Sequence, residues 1–109
     1  MLVVMTTVGS HSDGTILGEK IVEKRLAACV QILPQMTSIY FWEGKLQNDQ
    51  EHLLLIKTLP EKYGAVEKFI LDNHSYETPE IVAIPAEKVS SGYLNWLKDS
   101  IYNSAPEPS

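Results

Sequence analysis

The segment His74-Ser75-Tyr76-Glu77 holds the residues best suited to bind an ion or a small ligand. It places an imidazole, a phenol and a carboxylate within four positions. Copper and zinc favour imidazole ligands, and a nearby carboxylate can complete or orient such a site. The segment alone leaves a second interpretation open, in which His74 ends a helix and interacts with the helix dipole.

The other histidines and the single cysteine predict no further site. His11 lies in a polar loop and His52 beside a hairpin, and both are expected to be solvated side chains. Cys29 is expected to pack as a small hydrophobic residue, because reactive cysteines need exposed, electropositive surroundings. The sequence contains no Ser-His-Asp order, no paired catalytic carboxylates and no glycine-rich phosphate loop, so we expect that the protein is not an enzyme.

Length and charge narrow the classes of protein. The 109 residues suit one domain, predicted to span residues 1–102 and to be followed by a disordered tail at 103–109. The net charge is −5 and the nine lysines and arginines are scattered, so a nucleic-acid partner is not expected. No apolar run is long enough to cross a membrane, and a lone cysteine fits a reducing compartment. We therefore expect a cytoplasmic protein without a membrane partner.

Hydrophobic periodicity and turn residues predict an alternation of strands and helices. The predicted strands are 2–8, 29–33, 37–42, 46–56 and 80–84, and the predicted helices are 15–28, 58–73 and 90–101. Thr58 and Glu61 form a predicted capping box, and Glu43-Gly44 forms a predicted hairpin turn. A split βαβ unit that occurs twice predicts an α+β fold, the ferredoxin-like βαββαβ sandwich with an antiparallel sheet and an additional C-terminal helix.

The loop at residues 9–14 excludes two activities that share this topology. Acylphosphatase needs an arginine there, whereas the only arginine of this chain is Arg25. Heavy-metal chaperones need a Cys-x-x-Cys motif, and the chain has one cysteine.

The hairpin strands are apolar on both faces. Alternation places Tyr40 with Trp42, and Leu54 with Ile56. In a small two-layer domain the helices cover only one face of the sheet, so the second face must be covered by something else. We expect that cover to be a partner subunit, with Tyr40, Trp42, Leu54 and Ile56 at the interface.

Several segments together resemble the CutA family of divalent-cation tolerance proteins. They occur in the family's order and extend through most of the chain: 23–30 (EKRLAACV), 37–40 (TSIY), 42–45 (WEGK), 56–58 (IKT), 74–81 (HSYETPEI) and 93–96 (YLNW). Ser75 replaces the proline of the family's usual His-Pro-Tyr. Thr6 stands where some bacterial members carry a cysteine that binds copper.

The resemblance implies a ferredoxin-like subunit in a homotrimer, with hairpin strands pairing between subunits. It implies a link to copper and other divalent cations, with no tightly bound cofactor. Carried over by position, His74 and Glu77 are the predicted metal ligands, and Lys57 and Tyr76 the predicted lining of the cleft.

The expected function is that of a trimer that binds divalent metal ions, copper above all, and contributes to metal tolerance. Two alternatives remain open. One is a regulatory trimer that binds a small anion or metabolite in its cleft, as PII-like signalling proteins do, and the open face of the sheet and Lys57 motivate it. The other is a scaffold that anchors another protein.

Overall fold

The computed structural model describes residues 1–103, which form a five-stranded antiparallel sheet with the first two helices packed on one face. The elements are β1 (Leu2–Val8), α1 (His11–Glu23), β2 (Cys29–Ile32), β3 (Met36–Trp42), β4 (Lys45–Thr58), α2 (Tyr63–Asn73), β5 (Val82–Pro85) and α3 (Ser91–Tyr102). The strand order is β2-β4-β1-β5, and β3 pairs with the first half of β4. This topology confirms the predicted ferredoxin-like α+β fold. Of the predicted tail, only Asn103 lies within the described residues, where it follows α3.

Helix α1 begins and ends four to five residues earlier than predicted. The Ser10 hydroxyl accepts a hydrogen bond from the backbone N–H of Asp13 at 3.1 Å, so the helix starts inside the predicted loop. At the other end Arg25 adopts a left-handed conformation with φ of 58°. The N–H groups of Arg25 and Leu26 then donate to the carbonyls of Val22 and Ile21, which is a Schellman motif. The predicted boundaries were therefore wrong at both ends.

The predicted capping box at Thr58 is also wrong. Thr58 is the last residue of β4, and its hydroxyl donates to the carbonyl of Leu26 at 2.6 Å. A 3-10 turn over Pro60–Lys62 follows, and α2 begins at Tyr63. Strand β5 starts two residues later than predicted, whereas the C-terminal helix begins after Ser90 as predicted.

The β3–β4 hairpin closes at the predicted turn. Glu43 and Gly44 both have positive φ, 50° and 78°, the combination of a type I′ turn. Strand β4 has 14 residues: β1 and β2 pair with its second half, on either side, whereas β3 pairs with its first half, residues 45–51. The hairpin therefore extends past the sheet with its apolar side chains exposed, among them Ile39 (66%) and Phe41 (74%).

The core lies between the sheet and helices α1 and α2. Leu54 and Ile56 are completely buried there, beside Val4, Ile21 and Val66. A side chain that is buried within one chain cannot contact a second subunit, so the prediction that Leu54 and Ile56 belong to the trimer interface is wrong. Both faces of β4 are apolar, and the helices cover the face that carries these two residues.

The opposite face of the sheet is only partly covered. Leu53 and Leu55 of β4 are half-buried on that face, opposite Thr7 and Met5 of β1 in the strand register. Val82 and Ile84 of β5 continue the apolar surface and are exposed. Within the described residues, no helix is long and apolar enough to cross a membrane.

Candidate functional site

His74 follows the last residue of α2, and both nitrogens of its ring make hydrogen bonds. Its backbone N–H donates to Ile70, so the predicted position at the helix C-cap is confirmed. Nε2 lies 2.6 Å from the carbonyl oxygen of Thr7, which can only accept, so Nε2 carries the hydrogen. Nδ1 accepts a hydrogen bond from the backbone N–H of Tyr76 at 2.9 Å. No nitrogen lone pair is left for a metal ion, and this geometry contradicts the prediction that His74 is a ligand.

The role of His74 is instead to hold the segment that follows it. The ring connects the end of β1, at Thr7, to the backbone at Tyr76. The Tyr76 ring stands against the imidazole, with 4.6 Å between the ring centroids. His74 therefore fixes where the phenol of Tyr76 and the chain beyond it lie.

The Tyr76 hydroxyl reaches the sheet at Glu51. It donates to a carboxylate oxygen of Glu51 at 3.0 Å, and Glu51 is only 7% exposed. Burial raises the pKa of Tyr76 to about 12, and the hydrogen bond to Glu51 adds to the increase. The phenol is therefore a fixed donor at neutral pH.

The segment held by His74 and the hairpin together enclose a cleft of about 620 Å³. Three kinds of side chain line it. The carboxylates are Asp49, Glu51, Glu77 and Glu80; the aromatic residues are Tyr40, Trp42 and Tyr76; the others are Thr7, Ser38, Ile39 and Thr78. The predicted cleft residues Tyr76 and Glu77 thus lie in one site, and Tyr40 and Trp42, predicted at the interface, border the same site.

The side chains that line the cleft make it acidic. Four carboxylates face it, and among its lining residues in the described part of the chain there is no lysine or arginine. The Tyr40 hydroxyl donates to Asp49, and that bond raises the pKa of Tyr40. The Tyr76 hydroxyl likewise donates a hydrogen bond to Glu51, so the two phenols hold two of the carboxylates in place. Charges of one sign in a concave surface raise the local concentration of counter-ions.

The carboxylates do not form a closed metal cage. Across residues 1–103, no three histidine, cysteine, aspartate or glutamate side chains come close enough together to hold one ion. A cation in this cleft would keep much of its water shell, with Glu77 and Glu80 among the groups around it.

Lys57 lies elsewhere, so the prediction that it lines this cleft is wrong. In the register of the sheet Thr7 is opposite Leu53, whereas Lys57 is opposite Val3. Four residues of strand separate the two positions, roughly 13 Å. The Lys57 ammonium group stands 5.5 Å from the centre of the Tyr93 ring, at the α3 end of the sheet.

Sequence reasoning missed Asp49, Glu51 and Glu80 as cleft residues. A signal was present in β4, where acidic residues at positions 49 and 51 alternate and so share a face. Their neighbours in space come from the end of α2 and the loop after it. Only the fold places those segments beside the hairpin.

Comparison with known proteins gives one family. Residues 2–100 match the family model described as CutA1 divalent ion tolerance protein. A divalent-cation tolerance protein CutA from Thermus thermophilus is 42% identical over 98 residues, which covers 90% of this chain and 95% of that protein. The chloroplastic CutA of Arabidopsis thaliana is 43% identical over 102 residues. This chain spans somewhat more than half of the plant relatives, 56% in Arabidopsis and 58% in rice.

Solved structures agree on the fold. The crystal structure of CutA1 from Oryza sativa aligns with a TM-score of 0.90 at 42% identity, covering 94% of each chain. CutA1 from Ehrlichia chaffeensis aligns with a TM-score of 0.89 at 26% identity, covering 92% of this chain and 94% of that one. The likeness therefore extends over almost all the described residues.

Proposed function

The chain belongs to the CutA1 family of divalent ion tolerance proteins, and from this premise we propose that it is a homotrimer that binds divalent cations in the acidic cleft. The observation that carries the proposal is the lining of that cleft, four carboxylates with no basic side chain among the described residues that form it. Such a surface concentrates divalent cations and disfavours anions.

We propose copper(II) as one of these cations. For a given set of oxygen ligands, copper(II) binds more tightly than the other divalent ions of the first transition row. The phenols of Tyr40 and Tyr76 keep Asp49 and Glu51 in fixed positions, which leaves Glu77 and Glu80 as the exposed carboxylates free to approach an ion. Binding of a hydrated ion by exposed carboxylates should be weak and reversible, as suits a protein that buffers a cation and does not store it.

The trimer is proposed from the uncovered apolar surface. The exposed side chains of the hairpin and of β5 form an apolar area too large for an ordinary monomer: Ile39, Phe41, Trp42, Leu46, Val82 and Ile84. Tyr40 and Trp42 remain the proposed interface residues from the sequence. In dilute solution we expect about three times the chain mass of 12.2 kDa. A mass of one chain would contradict the trimer.

The alternative of a regulatory trimer that binds an anionic metabolite has less support. It is motivated by the open face of the sheet and by Lys57, and of these two Lys57 is not part of the cleft. We retain as further proposals that the protein acts as a binding protein and not as an enzyme, and that it works in the cytoplasm.

The test is a calorimetric titration of metal-free protein with manganese(II) and with copper(II). Manganese(II) probes the carboxylates, because it prefers oxygen ligands. The variant Glu77→Gln/Glu80→Gln removes two charges from the cleft and should weaken manganese(II) binding by about tenfold or more. The control Glu19→Gln/Glu87→Gln removes the same charge from exposed positions outside the cleft lining and should bind normally. Equal loss in both variants would show that only net charge matters and would refute the cleft.

A further inference from the structure

His11 and His52 lie side by side although 41 positions separate them in the sequence. His52 pairs in register with Val8 at the end of β1, and His11 is the first residue of α1, three residues further along the chain. Their ring centroids are 5.7 Å apart and the ring planes are nearly perpendicular, at 80°. His11 is exposed, as expected of a solvated side chain, whereas His52 is half-buried and hydrogen-bonded to Leu33.

The hydrogen bond of His52 fixes which nitrogen is available. Nδ1 lies 2.9 Å from the carbonyl oxygen of Leu33, and since a carbonyl only accepts, Nδ1 carries the hydrogen. The lone pair is therefore on Nε2. Histidines that bind metals use this arrangement, in which the N–H of the non-bonding nitrogen donates to a backbone carbonyl and orients the ring.

His11 has the same tautomer for a similar reason. The Thr15 hydroxyl donates its one hydrogen to the His11 carbonyl at 3.1 Å. The same oxygen is 3.4 Å from Nδ1 of His11, so it can only accept there, and Nδ1 carries the hydrogen. Among the described residues, Nε2 of both rings is thus free, in contrast to His74, whose two nitrogens are both hydrogen-bonded.

The distance between the rings suits a shared ion. With an ion–nitrogen distance of about 2.0–2.1 Å and a tetrahedral angle, two imidazole centroids stand about 5.2 Å apart. The observed 5.7 Å exceeds that value by about half an ångström, which rotation of the His11 side chain on the surface can supply. His52 is half-buried and bonded to Leu33, so it forms the fixed side of the pair.

We propose that His11 and His52 form a two-imidazole site for a borderline divalent cation, copper(II) or zinc(II), separate from the acidic cleft. Copper(II) and zinc(II) favour imidazole ligands, whereas magnesium and calcium favour carboxylates. Water completes the coordination shell, because no third ligand side chain joins the pair within residues 1–103. The proposal rests on the proposed function only for the class of ion.

The two sites are on opposite faces of the sheet. Successive strand residues point in opposite directions, so His52 shares the helix-covered face with Leu54, and Glu51 shares the cleft face. Substitution of one site therefore leaves the side chains of the other site in place. The two proposals can fail separately.

The test is electron paramagnetic resonance of copper(II) added to metal-free, full-length protein, together with calorimetry. In the unsubstituted protein we expect one copper(II) per chain to show nitrogen hyperfine coupling from two imidazoles. His11→Gln should remove one of these nitrogens and lower copper(II) affinity at least tenfold, since loss of even a supporting hydrogen-bond partner costs about 10–100-fold. Because His11 is exposed at a helix start, this variant should fold normally.

The cleft variant Glu77→Gln/Glu80→Gln is the matched control and should keep the two-nitrogen spectrum. His52→Gln should resemble His11→Gln, and its circular dichroism shows whether the fold is kept. A spectrum without nitrogen coupling, or an unchanged spectrum and affinity in His11→Gln, would overturn the proposal. In that case the two rings make an edge-to-face aromatic contact only.

Discussion

The phenolic hydroxyl of Tyr76 donates to the buried carboxylate of Glu51 at 3.0 Å and so connects the loop after α2 to the centre of β4. His74 helps to position Tyr76 for this bond, because its Nδ1 accepts a hydrogen bond from the backbone N–H of Tyr76. One wall of the acidic cleft therefore depends on two hydrogen bonds, one made by the Tyr76 backbone and one by its side chain.

The first prediction concerns alkaline pH. Burial raises the pKa of Tyr76 from 10.0 to about 12, so the folded protein keeps this proton where the unfolded chain loses it. The stabilising contribution is complete below pH 10 and is lost as the pH rises towards 12. At fixed protein concentration, the free energy of unfolding should decrease more steeply between these values in the unsubstituted protein than in Tyr76→Phe. Urea unfolding at several pH values measures these free energies. The same pH dependence in the unsubstituted protein and in Tyr76→Phe would contradict the prediction.

The second prediction concerns His74. His74→Ala removes the hydrogen bonds to Thr7 and Tyr76 and leaves the partly buried Thr7 carbonyl without its donor. We expect a loss of about 2 kcal/mol in the free energy of unfolding, from the net value of the bonds and the unpaired group. Copper(II) affinity at the His11–His52 pair should be unchanged. A stable variant that loses the two-nitrogen copper spectrum would show that His74 is a ligand after all.

The third prediction compares two buried threonines. Thr6 and Thr58 are both fully buried, but within residues 1–103 the Thr6 hydroxyl has no hydrogen-bond partner, whereas Thr58 donates to Leu26. Thr6→Val should raise the free energy of unfolding by about 1 kcal/mol, because it removes an unpaired polar group. Thr58→Val should lower it by about 1–2 kcal/mol. Changes of the same sign in both variants, measured by urea unfolding, would contradict the assigned bonding.

The fourth prediction concerns the approach of α1 to the sheet. A Cβ on Gly18 would lie 3.0 Å from Cγ1 of Val30, whereas a Cβ on Gly64 in α2 would meet no atom of the described residues within 4 Å. Gly18→Ala should therefore destabilise the protein by about 1–3 kcal/mol through overpacking. Gly64→Ala should stabilise it by about 0.5–1 kcal/mol, the usual gain in a helix. Thermal unfolding of the two variants gives the comparison, and a stabilised Gly18→Ala would show that Val30 yields without cost.

The order and type of the elements could be predicted because local signals agree with the fold. The Glu43-Gly44 turn between aromatic strands and the serine before α3 each indicate a boundary directly. The start of α1 was missed because its cap, Ser10, lies in a stretch that reads as loop from composition. Such a short cap is decided by backbone geometry more than by the surrounding composition.

The candidate site could be predicted only in part. Tyr76 and Glu77 were identified within a short segment, but their partners on β4 come from a distant part of the chain. The face of Leu54 and Ile56 could not be decided, because both faces of β4 are apolar and alternation alone does not say which one the helices cover. The approach of His11 to His52 depends on the register of β1 and β4, which sequence spacing does not give.

Cation binding in the acidic cleft can be tested directly by anomalous X-ray diffraction at the copper edge, from crystals of the unsubstituted protein grown with copper(II). We expect an anomalous peak in the acidic cleft, near the carboxylates of Glu77 and Glu80. A second peak is expected between His11 and His52. The contradicting result is a cleft without anomalous density at saturating copper(II) and, in crystals grown with manganese(II), without density for that ion either.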